Sequence, residues 1–201
     1  MHFVFLTRCY TPYKLDAVKE SIKLVFSNTE HTYLHCIIVD VKNSECNPNA
    51  YVKFDDENTR IIFKSNKPEN DKYNITGLNE VIKELGKDGY VYVLDDDNTL
   101  HPDFLKVVDY MTGNEDCVVF KCVNYDLEWG NKNILSGTSV GKIDWACYIT
   151  KLSTMKKLEI PTEKSISADG LFFERLRNNN CNIKLTGKTF AYYNHLGVQK
   201  K

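Results

Sequence analysis

Apolar runs and helically spaced apolar positions alternate along the first half of the chain. His2–Leu6 is a short apolar run that reads as a strand. Thr11 before Pro12 predicts a helix start with proline at the first helical position. Leu15, Val18, Ile22 and Val25 then follow at the spacing of one helical face. Tyr33–Val39 predicts a second strand ending on Asp40, and Arg60–Phe63 a third, shorter one. Gly77–Leu85 predicts a helix with Leu78, Val81, Ile82 and Leu85 on one side and Gly86 as its stop. Tyr90–Leu94 is apolar throughout, the pattern of a strand buried on both faces.

Beyond residue 100 the pattern changes. Phe104–Tyr110 predicts another helix. Cys117–Val123 and Asn133–Leu135 flank a polar loop with Trp129-Gly130-Asn131 and read as a hairpin. Ile143–Thr150 predicts a strand, Gly170–Asn178 a helix, and Asn182–Tyr193 a last strand. The fold class expected is α/β: a single domain over 1–201 with a mostly parallel central sheet flanked by helices. Right-handed crossovers would bring the C-terminal ends of the first strands to one edge, where open α/β sheets bind ligands. Thr7, Asp40 and Asp95 all stand at such ends.

Composition narrows the function classes. The 201 residues are 42% apolar and 12% aromatic, enough for one sizeable core. A formal net charge of −1 with mixed signs offers no basic field for nucleic acid and no polybasic patch for a membrane. The apolar start, Met1–Leu6, is too short for a signal peptide, and no apolar run reaches membrane-spanning length. The seven cysteines contain no CxxC pair, so reduced core thiols in a cytoplasmic protein are expected. Asn74-Ile75-Thr76 is then an incidental sequon.

The chemistry concentrates at Asp95-Asp96-Asp97. Three carboxylates closing a buried strand repel one another, and a divalent cation relieves the conflict. All-oxygen ligands point to a hard ion, Mn2+ or Mg2+. In an extended chain residues i and i+2 share a face, so Asp95 and Asp97 could serve one ligand. The plain alternative is a solvated acidic turn leading to Pro102.

Tyr90-Val91-Tyr92-Val93-Leu94-Asp95-Asp96-Asp97-Asn98-Thr99, followed by Pro102 and Leu105, resembles the DxD segment of GT-A-fold glycosyltransferases, especially family-2-like enzymes. Asp-Asp-Asp-Asn-Thr is also similar to the motif of animal glucuronyltransferases of that fold. The resemblance implies that Asp97 binds the metal bridging the diphosphate while Asp95 and Asp96 contact the nucleotide-sugar. Phe5-Leu6-Thr7-Arg8 resembles the first strand and its nucleotide-contacting loop, which puts Thr7, Arg8 and Tyr10 on the donor. Ile37-Ile38-Val39-Asp40 resembles the second strand, whose aspartate holds the base. Gly77-Leu78-Asn79 resembles a helix start lying against the donor. Ser167-Ala168-Asp169-Gly170 matches the position of the catalytic acid, with Ala-Asp where many relatives carry Glu-Asp. Tyr192-Tyr193-Asn194-His195 resembles the segment that supplies a histidine to the metal.

The resemblance implies transfer from a nucleoside-diphosphate sugar, UDP-type favoured, to a carbohydrate or glycan hydroxyl, with Asp169 as general base; a single in-line displacement with inversion is the simplest course, and a retaining reaction on the same fold is the alternative. The change of pattern near residue 100 divides the single domain into a nucleotide half over 1–100 and an acceptor half over 101–201, in which Asp144 and Trp145 are weak acceptor candidates, Trp145 because sugars stack on aromatic faces. Each residue has a plainer reading as well. Asp169 suits a helix cap, Asp40 a turn, His195 and Tyr10 ordinary packing, Arg8 a surface charge, and Trp145 the core. Gly137-Thr138-Ser139-Val140-Gly141-Lys142 is not a P-loop, since three residues rather than four separate its glycines and Ile143 follows the lysine. A sugar nucleotidyltransferase would want a glycine-rich loop after the first strand, which Thr7-Arg8-Cys9-Tyr10 lacks. A non-catalytic carbohydrate- or partner-binding domain on the same scaffold is the rival from another class.

Overall fold

The computed structural model describes residues 1–9, 12–41, 47–64, 71, 74–86, 88–125, 134–135, 138, 140, 142–163 and 167–196. Nine strands and five helices are described: β1 (His2–Cys9), α1 (Leu15–Phe26), β2 (Thr32–Asp40), α2 (Asn49–Val52), β3 (Thr59–Lys64), α3 (Ile75–Glu84), β4 (Tyr90–Val93), β5 (Thr99–Leu100), β6 (Cys117–Asn124), β7 (Ile134–Leu135), β8 (Tyr148–Lys151), α4 (Leu152–Leu158), α5 (Ala168–Asn178) and β9 (Ile183–Tyr193). Short 3₁₀ turns cover Pro12–Lys14, Phe104–Tyr110 and Trp145–Cys147.

The strands form a single α/β sheet in the order β3-β2-β1-β4-β8-β6-β9-β5, with β7 paired to β6. From β3 to β4 every pairing is parallel. Strand β8 enters antiparallel to β4 and to β6, and β6 runs parallel to β9. Two antiparallel steps restore direction, so β6 and β9 point the same way as β1, β2 and β4. Their C-terminal ends therefore share an edge with the N-terminal end of β8. That is the topological reason residues from 8 to 195 can meet.

Strand β1 is central because it is apolar on both faces. Phe3 and Phe5 lean on Phe26 of α1 at 5.7 and 5.8 Å between ring centroids, while Val4 faces the α3 end near Leu85. Beyond β4, Trp145 and Tyr148 stack against Phe172 and Phe173 of α5. A smaller apolar group of Cys9, Leu15, Ile37, Val39, Tyr51 and Phe54 closes the β2 side under α2.

Several expectations shift. The run 143–150 is not one strand. The Asp144 carboxylate accepts from Ala146 N at 2.8 Å, and this local bond turns the chain through Trp145–Cys147 before β8 begins. Phe104–Tyr110 is 3₁₀ rather than α, with i+3 bonds from Phe104 N to His101 O and Lys106 N to Asp103 O. Helix α3 begins two residues early because two acceptors hold its first turn. Asn74, in a left-handed conformation, accepts from Gly77 N, and buried Asp71 accepts from Ile75 N and Thr76 N. The helix ends on Glu84, and Leu85 turns extended without a left-handed glycine. The paired strands β6 and β7 realise the expected hairpin. Thr11 and the loop around Trp129 lie outside the described residues. Among the described residues the six cysteines form no disulfide.

Candidate active site

At the C-terminal edge of β1, Arg8 reaches across to the loop after β4. Its Nε donates to Asp95 Oδ1 at 2.7 Å, and a second guanidinium nitrogen bonds Asp95 Oδ2. Such a two-point fork fixes both groups. Asp96 is buried, and Asp97 is partly buried. Burial pushes the Asp97 carboxyl up to about 6, helped by its neighbours Asp95 and Asp96 and opposed by Lys14.

Two more carboxyls lie within electrostatic reach of Arg8. Asp144, at the turn before β8, is pushed up to about 8 by burial and then by Asp169; the bond from Ala146 N opposes this, Asp95 adds to it, and Arg8 counters it. Asp169 sits in the first turn of α5, pushed up to about 6 chiefly by burial. The Gly170 N bond at 2.7 Å and Arg8 pull it down, and Asp95 pushes it up. Ser167 occupies the cap position, so Asp169 is not the cap. Tyr148 anchors the turn by donating to Asp169 O at 2.9 Å. Gly170 is required here, because a Cβ would stand 2.8 Å from Val140 Cα. Three carboxyls held above their ordinary range at one sheet edge, two of them within electrostatic reach of Arg8, are the electrostatic signature of a functional cleft.

The C-terminal segment closes the far side. His195 follows β9, stacked on Tyr125 and Tyr192 at 4.8 and 5.2 Å. Its Nδ1 meets Thr99 Oγ1 at 2.8 Å, leaving Nε2 without a described partner, and burial lowers its pKa. Leu196 N donates to Asp97 O at 2.9 Å, and Asn194 N to Asn98 Oδ1 at 2.7 Å. Asp40 ends β2 half-buried on the same edge.

Three sequence candidates have other work. Thr7 is wholly buried. Its hydroxyl donates to Leu94 O at 2.7 Å and accepts from His35 Nε2 at 2.8 Å, so it ties β1 to β2 and β4 rather than facing a ligand. Asn79 uses both ends of its amide on the Ile160 backbone, at 2.8 and 2.9 Å, and so pins the end of α4 to α3. Trp145 is 4% exposed and packs on Tyr148 and Phe172, which places it in the core and not at an acceptor surface. Tyr10 lies outside the described residues. Asn98 and Thr99 were legible only as part of the acidic motif, yet they organise the His195 segment.

Among the described residues no three acidic, histidine or cysteine side chains converge on one point. The donor set nevertheless fits a hard cation that takes one or two protein ligands and completes its shell from phosphate and water. Asp97 offers oxygen, and His195 an imidazole nitrogen with its other nitrogen already engaged. No described helix is long and apolar enough to cross a membrane.

Fold and cleft together define a GT-A-like domain, with acidic side chains gathered at the carboxyl edge of a mostly parallel mixed sheet. The sequence matches the family model "Glycosyl transferase family 2" over residues 13–190, and the chain belongs to that family. It is a glycosyltransferase domain. No curated protein matches it by sequence. Among solved structures it is similar to S. aureus TarS residues 1–349, with a TM-score of 0.70 at 15% identity over 96% of this chain and 60% of that one. The mannosyltransferase PcManGT from Pyrobaculum calidifontis, solved with GDP-Man and Mn2+, gives 0.68 at 11% identity over 94% and 55%. The galactosyltransferase LgtC, solved with donor and acceptor sugar analogs, gives 0.56 at 10% over 92% and 73%. The chain spans less than two thirds of the TarS fragment's length.

Proposed function

We propose that this domain transfers a sugar from a nucleoside-diphosphate sugar to an acceptor hydroxyl, with Mn2+ or Mg2+ held at Asp97 and His195. The observation that carries the reading is the meeting of three turns at one sheet edge: Asp95 and Asp97 after β4, Asp144 before β8 and Asp169 at the start of α5, with Arg8 paired to Asp95 and lowering the pKa of Asp144 and Asp169. PcManGT, of the same fold, is solved with GDP-Man and Mn2+, and TarS with UDP-GlcNAc. A UDP-type donor is favoured, with Asp40 at the base end and Asp95 and Asp96 on the ribose or donor sugar. Residues 1–100 then serve the nucleotide and 101–201 the acceptor.

A bound cation would neutralise the charge that develops on the departing diphosphate. The protein's own part is proton transfer and orientation. Arg8 holds Asp95 rigidly, so the donor-facing carboxylate is set before substrate arrives. Asp169 takes the proton from the attacking hydroxyl, and a pKa near 6 suits a base that works near neutrality. Attack from the face opposite the leaving group gives inversion. Asp144, largely protonated at neutral pH, can donate a hydrogen bond toward the acceptor side without adding charge.

The test is thermal stabilisation by UDP with Mn2+ or with EDTA. Mn2+ should add markedly to the stabilisation, and Asp97→Ala should remove the added part while leaving the metal-free transition intact. Equal stabilisation in EDTA would defeat the metal reading.

A further inference from the structure

Three consecutive residues of the acidic loop grip three consecutive residues of the C-terminal segment. Asp97 O accepts from Leu196 N at 2.9 Å, Asn98 Oδ1 from Asn194 N at 2.7 Å, and Thr99 Oγ1 meets His195 Nδ1 at 2.8 Å. Strand β5 adds a short antiparallel pairing, Thr99 to Tyr192 and Leu100 to Ala191. Asn194 sits at a φ of 52°, the left-handed region that asparagine enters more readily than most side-chain-bearing residues.

Asn98 is the centre of the grip. It is wholly buried, and its Nδ2 has no partner. A buried unpaired donor is costly, so the amide is retained for its oxygen. Aspartate would supply the same oxygen but would add a fourth consecutive negative charge, and serine would be too short to reach.

We infer that Asn98 and Thr99 are positioning residues that clasp the 194–196 segment and aim the His195 imidazole at the cation held by Asp97. With Nδ1–H given to Thr99, the Nε2 lone pair is the one left for a metal. Ligating histidines commonly have their other nitrogen fixed in this manner, and loss of the fixing partner weakens metal affinity by about 10–100-fold. The inference rests on His195 being a ligand, as proposed above.

The experiment measures Mn2+ affinity in the presence of UDP, from the free-Mn2+ electron paramagnetic resonance signal. It uses Asn98→Ala, Thr99→Val and His195→Ala, and the pairs Asn98→Ala/His195→Ala and Thr99→Val/His195→Ala. Thr99→Val is nearly isosteric in a buried strand position, so it keeps the test open if Asn98→Ala does not fold. Each clasp variant should weaken Mn2+ binding by about 10–100-fold with histidine present, and change it little once His195 is alanine. An equal loss in both backgrounds would overturn the clasp, because its residues would then be acting on Asp97 or on the fold. Wild-type Mn2+ affinity in His195→Ala would instead overturn the ligand assignment and remove the clasp's purpose.

Discussion

Asp169→Asn separates catalysis from architecture more cleanly than other changes in the cleft. The carboxyl stands at about 6 against an ordinary 3.8. Two pKa units correspond to about 3 kcal/mol of extra cost for the ionised form in the folded chain. Asparagine keeps the oxygen that accepts from Gly170 N at 2.7 Å, so the turn need not change. It forfeits the favourable placement of a negative charge in the first turn of α5, about 0.3–1 kcal/mol. The net expectation is a stabilisation of about 2 kcal/mol near pH 7.5, equal to a rise in Tm of roughly 4–8 °C for a chain of this length. The sign follows from linkage. A raised folded-state pKa means the folded wild type binds more protons than the unfolded chain between about pH 4 and 6, so wild-type stability falls through that interval. The advantage of the variant should accordingly appear between pH 4 and 6 and vanish below. Transfer with saturating donor and acceptor should drop about 10²–10⁴-fold, the usual loss on removing a positioned base. Near-normal transfer would return the base to Asp144, the next carboxyl in the cleft. A stability gain of the same size at pH 4 and pH 7.5 would show that burial and charge crowding are not what raise this carboxyl.

The remaining tests address the neighbours of that base. Arg8 lowers both Asp144 and Asp169, so Arg8→Met should move the acid limb of kcat/KM above its wild-type position near pH 6; an unmoved limb would separate Arg8 from the base. Thr7→Val strips a hydrogen bond from each of Leu94 O and His35 Nε2 and should cost about 1–3 kcal/mol per group left unpaired, read as a lower urea midpoint, while UDP affinity holds; weaker UDP binding by a folded variant would restore Thr7 to the donor site. Trp145→Ala should cost about 3–5 kcal/mol as a core truncation, seen in the same denaturation, whereas a purely kinetic defect would place the indole at the acceptor.

What the sequence disclosed depended on whether a signal was periodic or spatial. The parallel half of the sheet was legible because β1, β2 and β4 are apolar runs at strand length, and position at a strand's carboxyl end then put Thr7, Asp40 and Asp95 on one edge without side-chain detail, while Arg8 was named only through the family resemblance. For Thr7 that rule does not choose between roles, since an end-of-strand hydroxyl serves a ligand or the adjacent strands equally well until one knows that Leu94 O and His35 lie beside it. Asn79 came from the family resemblance as a donor contact; its hold on the Ile160 backbone could not be read beforehand, because α4, which Ile160 follows, was not foreseen. The strand expected at 143–150 broke because one local hydrogen bond from Asp144 outweighs an apolar run too short to enforce its own geometry. The same turn settles the indole of Trp145 against Phe172, the core placement that was one of its two readings. The grip of residues 97–99 on 194–196 could not be read from any spacing, because it joins segments nearly a hundred residues apart. Only the two antiparallel steps through β8, which restore β9 to the direction of β4, deliver His195 to the acidic loop.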